Sequence, residues 1–163
     1  MSTGVDQFRF FVVQPVLSYL GLTNGEELVM GTAAQESNFH YLDQVDNFGK
    51  MVLGPGIGIY QMEQATHDDI WENFLKYKPD LALKCQRLKA DLPTSMHPLL
   101  GNLYYATAMT RVHYYRQKEA LPASTNLSGL ACYWKQYYNT TSGAGTVDQF
   151  TANYKKYVNG PAH

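Results

Sequence analysis

Glu36 is the residue of this chain best placed to do acid chemistry. It follows a run of small, uncharged residues, Thr32-Ala33-Ala34-Gln35, and precedes Ser37-Asn38-Phe39. A carboxyl at the tail of a helix faces the negative end of the helix dipole. Apolar neighbours strip it of water, and both effects hold the proton on near neutral pH. A protonated carboxylic acid is what a glycosidic oxygen needs as its bond to carbon breaks. A solvated glutamate at a helix end is the alternative that spacing alone leaves open.

A second segment follows about two dozen residues later: Gly54-Pro55-Gly56-Ile57-Gly58-Ile59-Tyr60-Gln61-Met62. Its glycines suit a tight hairpin. Residues without Cβ also let a polymer approach the backbone, and Gln61 brings both a donor and an acceptor. It is no phosphate loop, since no Lys-Ser/Thr follows and no βαβ strand precedes. Two-carboxylate hydrolysis needs a partner about 6.5–9.5 Å away for inversion, or about 5 Å for retention. Asp43, Asp46, Glu63, Asp68 and Asp69 are the candidates. Asp46, in the loop after the acid, is the preferred second carboxylate, while Asp68 and Asp69 read as helix-start charges. His40, His67, His97, His113 and His163 form no HxxxH or HExxH pair, so neither a metal nor any other cofactor is expected. No Gly-x-Ser-x-Gly elbow is present.

These residues must be held by the elements around them, and the pattern is mostly helical. Apolar residues at Phe8, Phe11, Val12, Val16, Leu17 and Leu20 predict a helix over about 5–20, kinked or restarted at Pro15 and ended by Gly21. Thr23 to Glu26 has capping-box spacing and predicts a second helix running to Gln35 or Glu36. Its small residues Gly31, Ala33 and Ala34 invite close packing from other elements. Residues about 40–62 read as an irregular hairpin or loop. Thr66-His67-Asp68-Asp69 is a further cap signal, for a helix that Pro79 stops. A short helix through Leu81 and Leu88, helices over about 95–118 and 124–138, and a last one capped at Thr146 complete the chain. The expected fold is mainly α (α+β): one domain over 1–163, a helical body with a small β-hairpin and a cleft between them.

The bulk numbers agree with a single globular domain. The chain has 163 residues, 45% of them hydrophobic, and its 13 basic and 14 acidic residues leave a net charge of −1. No basic excess points to nucleic acid. The apolar run Phe10–Val13 is too short to span a bilayer, so no membrane partner is expected. The thirteen tyrosines suit either ordinary packing or a carbohydrate cleft, because a phenol ring has an apolar face and a polar rim. Cys85 and Cys132 read as two reduced, half-buried thiols, with Cys132 in a core-like run. The N-terminus carries no basic n-region or cleavage site, so synthesis in a cytosol is expected.

Gln35-Glu36-Ser37-Asn38-Phe39 followed by Gly58-Ile59-Tyr60-Gln61-Met62 resembles the paired motifs of soluble lytic transglycosylases and goose-type lysozymes. Tyr138-Asn139 before a glycine loop resembles their third motif, with Tyr133 the alternative match. The wider texture, including Gln61–Trp71 and Tyr133–Thr140, is similar to bacteriophage lysozyme-like proteins, some endolysins and some carried on the virion. Two departures stand out: Ile59-Tyr60-Gln61 replaces the usual Leu-Met-Gln, and Thr140-Thr141-Ser142 replaces Ala-Gly.

The resemblance implies a lysozyme-like domain acting on the peptidoglycan glycan strand, as a monomer. The product would come from hydrolysis, as in a lysozyme, or from ring closure to a 1,6-anhydro sugar, as in a lytic transglycosylase. A non-catalytic wall-binding or virion module is the rival reading. By the same resemblance Glu36 is the catalytic acid and base, and Ser37 and Gln61 orient it or the sugar. Tyr60 lines the cleft, and Tyr138 and Asn139 sit across from the acid with the phenol bonded to it. Without a signal segment, such a protein would be made in the host cytosol and reach the wall at lysis or on the particle.

Overall fold

A computed structural model describes residues 4–45, 50–52, 54–140 and 142–159. The fold is mainly helical with a small antiparallel β element. Helices α1 (Val5–Phe8) and α2 (Gln14–Leu20) are joined by a π-helical segment, Arg9–Val13. Pro15 sits at the start of α2, where it has no N–H to give, and the chain winds wider just before it. Gly21 closes α2 in the left-handed region at φ +75°.

Helix α3 (Glu26–Ser37) begins later than the capping-box spacing predicts. Thr23 makes no cap. Instead the Arg111 guanidinium donates to the carbonyls of Leu22 and Asn24, at 3.2 and 2.9 Å, and to Asn24 Oδ1 at 2.8 Å. Those bonds hold residues 22–24 in a turn outside the helix. Arg9 takes up both Glu26 and Glu27 at the head of α3. Leu28 through Ala34 are all buried, the state expected of a helix with no solvated face. At Gly31 an added Cβ would lie 2.4 Å from Phe150 Cζ, so the close approach needs a glycine.

Two short hairpins follow. Strand β1 (Gln44–Val45) pairs with β2 (Met51–Val52), and β3 (Gly56–Ile57) with β4 (Met62–Glu63). Helix α4 (Gln64–Asn73) then starts two residues before Thr66, which therefore lies inside it rather than capping it. Pro79 opens α5 (Pro79–Lys89) at its first turn. The single helix predicted over about 95–118 is two, α6 (Pro98–Gly101) and α7 (Leu103–Tyr115). Asn102 breaks it: its side-chain oxygen accepts from Tyr105 N at 3.0 Å and its amide donates to Leu88 O at 2.8 Å.

Helix α8 (Leu127–Trp134) is capped by Asn126 and widens into a second π-helical segment, Lys135–Asn139. Helix α9 (Val147–Asn153) opens on the predicted Thr146 cap, with Gln149 completing a capping box. The core has two parts. One gathers α2, α7 and the hairpin residues Ile59, Tyr60 and Met62; the other joins Leu28 to α8 and α9 through Trp134, Phe150 and Tyr154. Cys85 is buried, but Cys132 is exposed, on the outer face of α8, contrary to the core position its neighbours predicted. No helix among the described residues is long and apolar enough to cross a membrane.

Candidate active site

The last turn of α3 delivers Glu36 to the wall of a cleft of about 730 Å³. Asn38 ends the helix in the left-handed region at φ 53°, so the chain turns away and the carboxyl stays at the rim. Burial is the main influence on Glu36 and pushes its pKa up to about 7, against the opposing pull of a hydrogen bond from Trp134. The Trp134 indole Nε1–H donates to Glu36 Oε1 at 2.9 Å. An indole can only donate, so it fixes one carboxyl oxygen as an acceptor. The proton then belongs on the other oxygen.

Of the residues predicted for the site, Ser37, Gln61, Tyr138 and Asn139 all line the same cleft as Glu36. Ser37 donates its hydroxyl to Ala33 O at 3.1 Å, which secures the end of α3. Gln61 has φ 49° and donates Nε2–H to Gly58 O at 2.8 Å. Asn139 Oδ1 accepts from Lys135 Nζ at 2.7 Å, which leaves its amide N–H groups as the donors. Lys135 also reaches Gly143 O at 2.7 Å and ties the following loop to the π segment.

Three expectations are corrected. Tyr60 does not line the cleft: it is 1% exposed, and its hydroxyl bonds Thr107 Oγ1 at 2.9 Å inside the core. The Tyr138 phenol does not bond the acid: it donates to the Tyr60 carbonyl at 2.7 Å. Glu36 is nonetheless near enough that its charge adds to the burial that raises the Tyr138 pKa. The hairpin glycines chiefly make room for protein. A Cβ on Gly58 would meet Leu99 O at 2.0 Å, and one on Gly56 would meet Gln61 Oε1 at 2.8 Å.

Asp46 lies outside the described residues. Asp43 and Glu63 both line the cleft, and Asp43 accepts from Gly54 N at 3.3 Å. Asp68 and Asp69 are engaged elsewhere, with His67 and with Arg116. Among the described residues no cluster of three His, Cys, Asp or Glu side chains is placed to hold a metal ion.

Two residues of the candidate site escaped sequence reasoning. Trp134 reads as core, and its ring does pack on Phe150 at 5.3 Å. A buried indole must still find an acceptor, but that rule does not name a residue 98 positions away. His113 also lines the cleft, from α7, where it sits within an apolar helical stripe. Backbone strain adds an independent sign. Asn38, Gln61 and Thr140 line the cleft at positive φ, and non-glycine residues held there cluster at functional sites.

The chain matches no protein-family model, no curated protein and no solved structure.

Proposed function

We propose that the chain is a peptidoglycan-degrading glycosidase, a muramidase that cleaves the β-1,4 bond between N-acetylmuramic acid and N-acetylglucosamine. The observation that carries this reading is the state of Glu36. Its carboxyl is half-buried at a helix tail, has its pKa pushed up to about 7 by that burial, and opens on a cleft edged with amides and hydroxyls. The motif resemblance carries the substrate; the geometry supports the acid.

Glu36 donates its proton to the glycosidic oxygen as the C1–O bond breaks, and the bonding electron pair leaves with that oxygen. Positive charge develops at C1 of the muramic sugar. Glu36, now a carboxylate, takes a proton from the group that attacks C1. If that group is water, the product has a free reducing end, and Asp43 and Glu63, which both line the cleft, are the candidates for a second carboxylate. If it is the sugar's own C6 hydroxyl, the product is a 1,6-anhydro ring. Trp134 matters in both halves, because its N–H steadies the carboxylate formed between them. On the same reading the chain is a bacteriophage lysin, made in the host cytosol and acting on the wall at lysis or from the virion. That part rests on the resemblance alone.

The test is digestion of purified cell walls by the wild type and by Glu36→Gln, with the released muropeptides weighed by mass spectrometry. Soluble fragments from the wild type alone are expected. Fragments one water lighter than the hydrolysed ones would assign the anhydro route. Equal failure of both proteins to release fragments, with both still binding the wall, would make the chain a binding module instead.

A further inference from the structure

The chain leaves α3 by an unusual path. Asn38 and Phe39 both sit in the left-handed region, at φ 53° and 59°. Asparagine visits that region readily, but a bulky phenylalanine there is strained. Its surroundings hold it in place. The Phe39 ring packs edge-on against Phe8 at 5.6 Å and lies against the larger core cluster. The carbonyl of Ser37, the last residue of α3, accepts from both His40 N and Tyr41 N, at 2.8 and 3.2 Å. One residue beyond Tyr41, the Leu42 carbonyl accepts from Gly58 N at 2.9 Å, which ties the segment to the turn between β3 and β4.

Tyr41 is thus fixed through the backbone on both sides, while the residue itself stays open. It is 40% exposed and lines the same cleft as Glu36. Among the described residues the aromatic ring beside it is that of His40, at 6.2 Å and tilted by 48°. The other rings that line the cleft are committed to the protein. His113 is 6% exposed, and Tyr138 gives its hydroxyl to the Tyr60 carbonyl and packs on His113 and Tyr114. Strained backbone that its neighbours over-determine tends to mark a positioned functional group. A phenol ring has an apolar face and a polar rim. A β-1,4-linked pyranose with equatorial substituents presents C–H groups on its flat faces, and those pack against such a ring. A platform already held in place loses little freedom when the ligand arrives.

We propose that Tyr41 is a sugar-stacking residue, whose ring receives the C–H face of a pyranose in the strand held at Glu36. The proposal rests on the glycosidase reading. It adds a binding residue outside the motifs that suggested that reading.

Two substitutions separate stacking from other roles. Alanine at position 41 removes the ring; phenylalanine keeps its face and removes the hydroxyl. Binding of tetra-N-acetylchitotetraose is measured by calorimetry, beside each variant's Tm. Tyr41→Ala is expected to weaken binding roughly tenfold, with its Tm within a few degrees of the wild type. Tyr41→Phe is expected to bind within about twofold of the wild type. Wild-type affinity in Tyr41→Ala would overturn the proposal. So would equal losses in both variants, which would assign the effect to the hydroxyl. A large fall in the Tm of Tyr41→Ala would make the residue structural and overturn it as well.

A direct readout needs no variant for the binding itself. In the wild type labelled with ring-¹³C tyrosine, the resonance that Tyr41→Phe deletes should shift as the tetrasaccharide saturates the cleft. An unmoved resonance at saturation would sink the proposal and leave the glycosidase reading standing. If the wild type binds neither the tetrasaccharide nor cell walls, the glycosidase reading fails and takes this proposal with it.

Discussion

Two polar networks in this molecule each include an indole donor, and they differ in completeness. The first runs from α6 to α7 through α4. His97 Nδ1 accepts from Leu99 N at 3.2 Å, and its Nε2 meets Gln64 Oε1 at 2.8 Å. Gln64 donates to Asp68 at 2.7 Å, Asp68 meets His67 Nδ1 at 2.8 Å, and His67 Nε2 meets the Tyr105 hydroxyl at 2.7 Å. Trp71 donates to that same hydroxyl at 2.8 Å. The Asp68 carboxylate accepts from His67 Nδ1, so the neutral ring's Nε2 is the acceptor that takes the phenol's proton, while the indole donates to the phenol oxygen. The second network joins Trp134 to Glu36 and faces the cleft, with His113 and Gln61 beside it. The first contains an Asp–His pair that looks catalytic in outline, yet its buried members are all paired, and His67, Asp68 and Tyr105 do not line the cleft. The second leaves the buried His113 Nδ1 and Gln61 Oε1 without a partner among the described residues, and burial pushes the pKa of its acid up to about 7. An unfinished network at a cavity is the better mark of a site than a familiar set of residue types.

The largest expected effect comes from Glu36→Gln. Wall digestion should fall by about 10²–10⁴-fold, the usual worth of a positioned general acid. The same variant should gain stability in alkali. The Glu36 pKa is raised to about 7 in the folded protein from 4.5, so the folded state binds the extra proton between those values. Wild-type stability therefore falls as pH rises from 4.5 through 7, by about 3 kcal/mol in all, and the glutamine escapes that loss. Thermal melts of both proteins at pH 4 and pH 8 check it: the gap in Tm should open only at the higher pH.

Next in size is Tyr105→Phe, in the completed network. Removing the hydroxyl orphans the His67 and Trp71 nitrogens and should cost about 1–3 kcal/mol of stability. The kcat on cell walls should be unchanged at a temperature where the variant is folded. A fall in kcat with an intact fold would break the contrast between the two networks.

Trp134→Phe should sharpen it. The ring still packs on Phe150, but the donor to Glu36 is gone, and that donor holds the acid's pKa down. Wild-type activity should decline as pH rises through about 7, as the acid form is lost. In the variant the declining limb should move to higher pH, with kcat lower by about tenfold for want of a hydrogen bond to the carboxylate. A profile of kcat against pH for the two proteins measures both.

The smallest effect belongs to Gln61→Gly. Glycine accepts the φ of 49° without strain, so the fold should keep its Tm within a few degrees. Loss of the amide should raise KM by about tenfold while kcat changes little, the signature of binding shared by ground and transition states. A large drop in Tm would mark Gln61 as structural.

Much of the fold was written in local signals. Gly21 as a helix stop, Thr146 with Gln149 as a capping box, and the small residues of α3 could be read because each acts on neighbours a few positions away. Glu36, Ser37, Gln61, Tyr138 and Asn139 were legible through motif resemblance, and the fold brings all five to one cleft. Where reading failed, a distant partner had intervened. Arg111 delayed α3 by capturing Leu22 and Asn24, and Asn102 split one helix into two by bonding Leu88. Tyr60 and Tyr138 show the same limit within the site. Sequence identified two phenols near the right motifs, but only the packing of α7 against the hairpin turned one into the core and gave the other's proton to a backbone carbonyl.

What the chain's order of residues settled was helical periodicity, the caps and the identity of a carboxyl at a helix tail, because these depend on contacts within a turn or two. What awaited the folded molecule was the burial that raises that carboxyl's pKa, the indole that donates to it, and the α7 histidine that lines the same cleft. Those depend on desolvation and on hydrogen bonds between groups far apart in the chain, and no local pattern encodes which distant residues will share the same dry space.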